Sequence, residues 1–91
     1  MGSSRTFYNV SASIWECVKT TSNKEHGTVY NPPDANQGTA TTSTPIGDIV
    51  LSFNFDPGQA SVAYKIEKKP FIVSDNQIWD GIEDSINGCK K

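Results

Sequence analysis

Residues 47–69, GDIVLSFNFDPGQASVAYKIEKK, decide the fold. Before the central Asp56-Pro57-Gly58-Gln59, the residues Ile49, Leu51, Phe53 and Phe55 alternate with Asp48, Val50, Ser52 and Asn54. After it, Ala60, Val62, Tyr64 and Ile66 alternate with Ser61, Ala63, Lys65 and Glu67. A period of two places each apolar set on one face of a strand, and two such runs around a turn read as a β-hairpin. With the turn at 56–59, the opposed pairs are Phe55 with Ala60, Phe53 with Val62, Leu51 with Tyr64 and Ile49 with Ile66. Each such pair contributes roughly 0.2–1 kcal/mol beyond alanine, and a one-residue slip would turn the apolar face outward. Pro-Gly in the two central places favours a type II turn, which splays the strands, so a wider loop is expected.

Downstream, residues 74–89 read SDNQIWDGIEDSINGC. Ser74 is an N-cap with Gln77 three residues on to complete a capping box, and Asp75 meets the positive end of the helix dipole. At about 100° per residue, Ile78, Trp79, Ile82, Ile86 and Cys89 share one stripe while Asp80, Glu83, Asp84 and Asn87 lie opposite. Gly88 is placed to end this helix, and Lys90 and Lys91 complement its negative end. Gly81 weakens it by up to about 1 kcal/mol relative to alanine, which suggests a close backbone approach there. Between hairpin and helix, Phe71-Ile72-Val73 reads as a short buried strand or a docking segment.

Upstream, residues 6–21, TFYNVSASIWECVKTT, contain no Gly or Pro and carry Tyr8, Val10, Ala12 and Ile14 in alternation. This reads as one long strand with a change of phase at Trp15 and Cys17, where Glu16 takes the next inward place, as at a bulge. A polar turn, TSNKEHG, and a short strand at Thr28 to Tyr30 follow. The expected architecture is α+β: an antiparallel sheet of three to four strands, from the long N-terminal strand and the central hairpin, with one C-terminal amphipathic helix packed on one face. Residues 1–5 read as a disordered polar start and 6–91 as a single domain, with a polar loop or edge strand at 31–46.

The 91 residues suffice for one small core, and 35% hydrophobic with 20% charged residues is neither a disordered nor a membrane composition. A net charge of −2 argues against a nucleic-acid partner, and no apolar run is long enough to insert in a membrane. Met1-Gly2-Ser3-Ser4 lacks a basic region followed by an apolar one, so no signal peptide is expected in it. The two cysteines, Cys17 and Cys89, are too far apart for a CxxC site. Cys89 shares the helix stripe that faces the sheet, and the change of phase turns Cys17 toward it. A Cys17–Cys89 disulfide is therefore expected, worth roughly 4 kcal/mol in the chain-entropy model, against the alternative of two buried thiols. It implies a secreted, periplasmic or cell-surface protein.

Chemistry-bearing motifs are sparse. His26 is the single histidine, in a polar turn, where a lone histidine is usually just solvated, so no catalytic residue is assigned. Asp34-Ala35-Asn36-Gln37-Gly38 resembles the start of a calcium loop but lacks the later acidic ligands; it reads as an Asx-rich turn, and no metal or cofactor is expected. Asn9-Val10-Ser11 fits the N-glycosylation pattern inside the expected strand. The stretch 31–47, NPPDANQGTATTSTPIG, is the candidate binding segment. Pro32 and Pro33 stiffen its entry and Pro45 its exit, and Asp34, Asn36, Thr39, Thr41, Thr42 and Thr44 offer polar groups. It reads as an edge strand pairing with Thr28 to Tyr30, a mobile insert or a binding loop. The expected function is that of a non-catalytic, monomeric protein binding a macromolecule, protein or glycan, through this loop or through the outer sheet face of Val50, Ser52, Asn54, Ser61, Ala63 and Lys65. The alternatives are a self-associating surface component and a loop presenter of the protease-inhibitor kind.

Overall fold

The computed structural model describes residues 3–32 and 34–90. In chain order these form β1 (Ser4–Tyr8), α1 (Ala12–His26), β2 (Val29–Asn31), β3 (Gln37–Thr44), β4 (Gly47–Asp56), β5 (Ser61–Lys68) and α2 (Asp75–Cys89). The strands make one antiparallel five-stranded sheet in the order β1-β5-β4-β3-β2. The α+β class holds, with more strands than the three to four expected and with two helices in place of one. Ser4 and Arg5, expected in a disordered start, belong to β1. The parts expected of Met1, Gly2, Pro33 and Lys91 lie outside the described residues.

The main correction concerns residues 6–21. Only Thr6 to Tyr8 belong to a strand; residues 9–11 connect it to α1, which takes the rest. The apparent alternation of Tyr8, Val10, Ala12 and Ile14 crosses the junction between strand and helix. Ser11 caps α1, its Oγ accepting from the Ile14 N–H at 3.3 Å. Gly27 ends it at φ 68°, in the left-handed region where glycine carries no Cβ penalty, and donates to the Asn23 carbonyl at 3.0 Å. Trp15 and Val18, three apart, supply the buried side of α1. The supposed bulge at 14–16 does not exist.

The hairpin forms with its faces as read and its register moved by two. Phe55 pairs with Val62, Phe53 with Tyr64 and Leu51 with Ile66. Residues 57–60 form the loop, and Asp56 Oδ1 accepts from the N–H groups of Gly58 at 2.9 Å and Gln59 at 3.3 Å. Because the side-chain period is two, this shift leaves every residue on its expected face. The shift gives Ile66 to Leu51 and leaves Ile49 paired with Thr42 of β3, and the β4–β5 ladder is irregular between Val50 and Leu51.

Phe7, Ala40, Leu51, Phe53, Phe55, Val62, Tyr64 and Ile66 cover the inner face of the sheet and form one core with Trp15 and Val18 of α1 and Ile78, Trp79 and Ile86 of α2. Trp15 is central, its ring stacked on Phe55 at 5.5 Å and edge-on to Tyr30 at 5.9 Å. Both helices therefore lie on one side of the sheet.

The capping box of α2 is present as read, with Ser74 Oγ accepting from the Gln77 N–H and Gln77 Oε1 from the Ser74 N–H. Gly88 does not end the helix, which continues through Cys89 to a cap at Lys90. Phe71 and Ile72 are not buried: they are 93% and 63% exposed. Cys17 and Cys89 stand at disulfide distance, with Cα atoms 5.8 Å apart. Their meeting has a different cause from the one expected, since Cys17 reaches Cys89 from a neighbouring helix and not from a bent strand.

Candidate functional site

A cleft of about 370 Å³ opens between the two helices and the inner face of the sheet. This lies within the range of small-molecule sites, roughly 300–1,000 Å³. From α1 it receives Val18, Ser22 and His26, each four residues on from the last and so on one face of the helix. From α2 come Gln77, Ile78, Gly81, Ile82 and Ser85. The floor is Tyr30 of β2, Ala40 and Thr42 of β3, Leu51 of β4 and Tyr64 of β5.

Gly81 has a role that the sequence reading missed. A Cβ built there would meet nothing within 4 Å, so no backbone approaches it. The position faces the cleft, and its missing side chain is part of the open volume. The helix carries a residue that disfavours helix by about 1 kcal/mol, at a place where alanine would fit without a clash.

The two sides of the cleft differ. The side made by α1, β2 and β3 carries hydroxyls. Ser22 and Tyr30 line it, and Thr28 Oγ1 lies 2.6 Å from Thr42 Oγ1. Asn23 Nδ2 donates to the Thr28 carbonyl at 2.9 Å and ties the end of α1 to the start of β2. Toward α2 the lining is mostly apolar, with Val73, Ile78 and Ile82, and includes Gln77 and Ser85. Burial raises the Tyr30 phenol above its ordinary value near 10, with the hydrogen bonds from Ser22 and Tyr64 acting the other way. Burial likewise holds the Tyr64 phenol well above that value, helped by its closeness and hydrogen bond to Tyr30. Both phenols are neutral at physiological pH. The lining includes no Asp, Glu, Lys or Arg among the described residues.

The helices are joined at one end of this arrangement. Cys17, in the second turn of α1, meets Cys89, the last residue of α2, and Thr21 Oγ1 lies 3.8 Å from each sulfur. From there the lining runs toward His26 on α1 and Gln77 on α2.

The six residues singled out in the 31–47 stretch do not form one surface. Asp34 and Asn36 are exposed in the connection between β2 and β3, where the Asn36 carbonyl accepts from the Phe55 N–H at 2.7 Å. Thr39 and Thr41 lie on the outer face of the sheet, in register with Ser52 and Val50. Thr42 and Thr44 line the cleft. Strand alternation separates the two pairs, since β3 is paired on both sides, to β4 along its length and to β2 over residues 39–41. The stretch is thus mostly strand, and not at the edge. Of the outer-face residues, Ser61 is buried and the others remain half-buried or exposed.

His26 belongs to the last turn of α1 and not to a loop, and it faces the cleft. Among the described residues no group of three or more His, Cys, Asp or Glu side chains could hold a metal ion, and no helix is long and apolar enough to cross a membrane. The cysteine pair fits an oxidising environment. Comparison with models of protein families, with curated proteins and with solved structures finds no match for this chain.

Proposed function

We propose that this protein is a non-catalytic binding domain of an oxidising compartment, secreted or at a cell surface, that holds a small, largely apolar molecule in the cleft between its helices and its sheet. The observation that carries this reading is Gly81. A solvent-facing helix interior favours almost any other residue on stability grounds, and here the missing side chain keeps open a cavity of about 370 Å³. The non-catalytic part rests on the lining, which among the described residues has no carboxylate to orient His26 as the base of a nucleophile such as Ser22.

The test is titration with N-phenyl-1-naphthylamine, whose fluorescence rises in apolar surroundings. The expected result is saturable enhancement that is lost in Gly81→Phe and kept in Gly88→Phe, a glycine of the same helix with open space around it but outside the cleft. Equal binding by both variants would refute the cleft as the site.

A second reading is favoured by the outer face of the sheet, which neither helix covers and which carries Thr39, Thr41, Ser52, Asn54 and Lys65. On this reading the face binds a protein or a glycan while the chain stays monomeric. Loss of partner binding in Thr41→Arg, with fluorophore binding intact, would support it. Concentration-dependent association of the free protein would point instead to a self-associating surface component.

A further inference from the structure

We infer that the cleft takes an uncharged molecule with a hydrocarbon or aromatic body and a hydroxyl or carbonyl group, and that the hydroxyls of Ser22 and Tyr30 in its lining are what recognise that group. This rests on the cleft being the binding site.

The first argument is charge. A ligand entering the cleft gives up water, and an ionic group that does so needs a partner of opposite sign or a dense set of hydrogen bonds. Apart from His26, at the C-terminal end of α1, the lining offers no ionisable side chain but the two phenols. Their burial keeps both phenols protonated, so neither supplies a negative charge for a cation.

The second argument is the division between the two sides. Val73, Ile78 and Ile82 make the lining toward α2 mostly apolar, with Gln77 and Ser85 beside them, while Ser22, Thr28, Tyr30 and Thr42 bring hydroxyls from α1, β2 and β3. A pure hydrocarbon would strip water from the hydroxyl side without replacing it, and a sugar would do the same to its own hydroxyls against the isoleucines. A molecule that is mostly apolar with one polar edge satisfies both sides.

The third argument is hydrogen-bond capacity. A phenol has one hydrogen and two lone pairs. Tyr64 is 3% exposed, whereas Ser22 and Tyr30 are half-buried and line the cleft, so theirs are the hydroxyls a ligand can reach. Thr28 and Thr42 spend one capacity on each other, and Gln77 Oε1 accepts from the Ser74 N–H. On the α1 side this leaves Tyr30 and Ser22 as the reading groups.

The experiment is displacement of N-phenyl-1-naphthylamine by three matched compounds, 2-naphthol, 2-methylnaphthalene and 2-naphthoate. The expected order is naphthol ahead of methylnaphthalene by roughly 2- to 13-fold, the range of one hydrogen bond between neutral groups, with naphthoate weakest. In Tyr30→Phe the naphthol advantage collapses while methylnaphthalene is unchanged. Ser22→Ala, a change on the helix surface that leaves the aromatic core intact, reduces the same advantage, so the inference stays testable should Tyr30→Phe fold poorly. Equal displacement by all three compounds overturns this ligand class and leaves the cleft as the binding site. A preference for naphthoate that is lost in His26→Ala overturns it in favour of an acid. Failure of the fluorophore to bind the wild-type protein removes both readings.

Discussion

Replacing Gly81 with alanine should make the protein more stable and worse at its task. Gly81 is in the middle of α2, where glycine is about 0.8–1.0 kcal/mol less favourable than alanine because it loses more backbone freedom on folding. The usual reason for such a gain to vanish is a clash, and a Cβ at this position meets nothing within 4 Å. The whole of the propensity difference should therefore appear as stability, about 0.8–1 kcal/mol. For a domain of this size about 1 kcal/mol raises the melting temperature by roughly 4–8 °C. Gly88→Ala is the control: its Cβ also meets nothing, it lies next to the frayed end of the helix, and it does not line the cleft. Scanning calorimetry of the oxidised protein should rank the melting temperatures Gly81→Ala above Gly88→Ala above wild type. In parallel, fluorophore affinity should fall for Gly81→Ala alone, because only that methyl group projects into the cavity. An unchanged or lower melting temperature for Gly81→Ala would refute the account, since it would mean that the space beside α2 is filled or that the helix is not formed there.

Three other perturbations have outcomes set by the geometry. Cys17→Ala with Cys89→Ala opens a loop of sequence separation 72, worth about 4.4 kcal/mol in the chain-entropy model. With a urea slope of about 1–3 kcal/mol per M, the midpoint followed by the fluorescence of Trp15 and Trp79 should drop by roughly 1.5–4 M, and a drop below about 0.5 M would show that the bridge contributes little. Because the folded protein holds the Tyr30 and Tyr64 protons above the ordinary tyrosine value, their contribution to stability is complete below about pH 10 and declines as pH rises through their folded values. Unfolding free energies from urea titrations at about pH 9 to 12 should fall by up to about 1.4 kcal/mol per pH unit for each tyrosine, and less steeply in Tyr64→Phe. Gly38→Ala places a methyl group on the Asn31 carbonyl oxygen and so forces β2 away from β3; amide exchange should accelerate at Tyr30 and Asn31 while the β4–β5 pair keeps its protection.

The parts of the fold that were legible are those in which the local pattern and the tertiary demand agree. In β4 and β5 alternation alone assigns the faces, and only the four-residue loop at 57–60, enforced by Pro57-Gly58, moved the register. In α2 the capping box and the isoleucine stripe point the same way. α1 was misread because Thr20, Thr21, Ser22 and Asn23 are poor helix formers and because alternation carried on from β1 across Ser11. The signals that count there are a cap at Ser11, a left-handed glycine at Gly27 and no breaker between them. β3 has almost no apolar pattern, and pairing on both sides decides its state. The cleft draws on both helices and four strands, so no linear window contains it. Gly81 was its one visible trace, and the inward phase of Tyr64, a hydroxyl among apolar neighbours, was a second that went unused.

The covalent joining of α1 to α2 also bears on how fast a ligand can be exchanged. The helices cannot part at Cys17 and Cys89, so their relative motion is confined to the ends marked by His26 and Gln77. For a ligand held as proposed, widening at that end would then help to set the rate of release alongside the fit of the interior. Reduction removes the pin, and release from the proposed site should quicken once the two sulfurs separate, with no change in the groups that line the cleft.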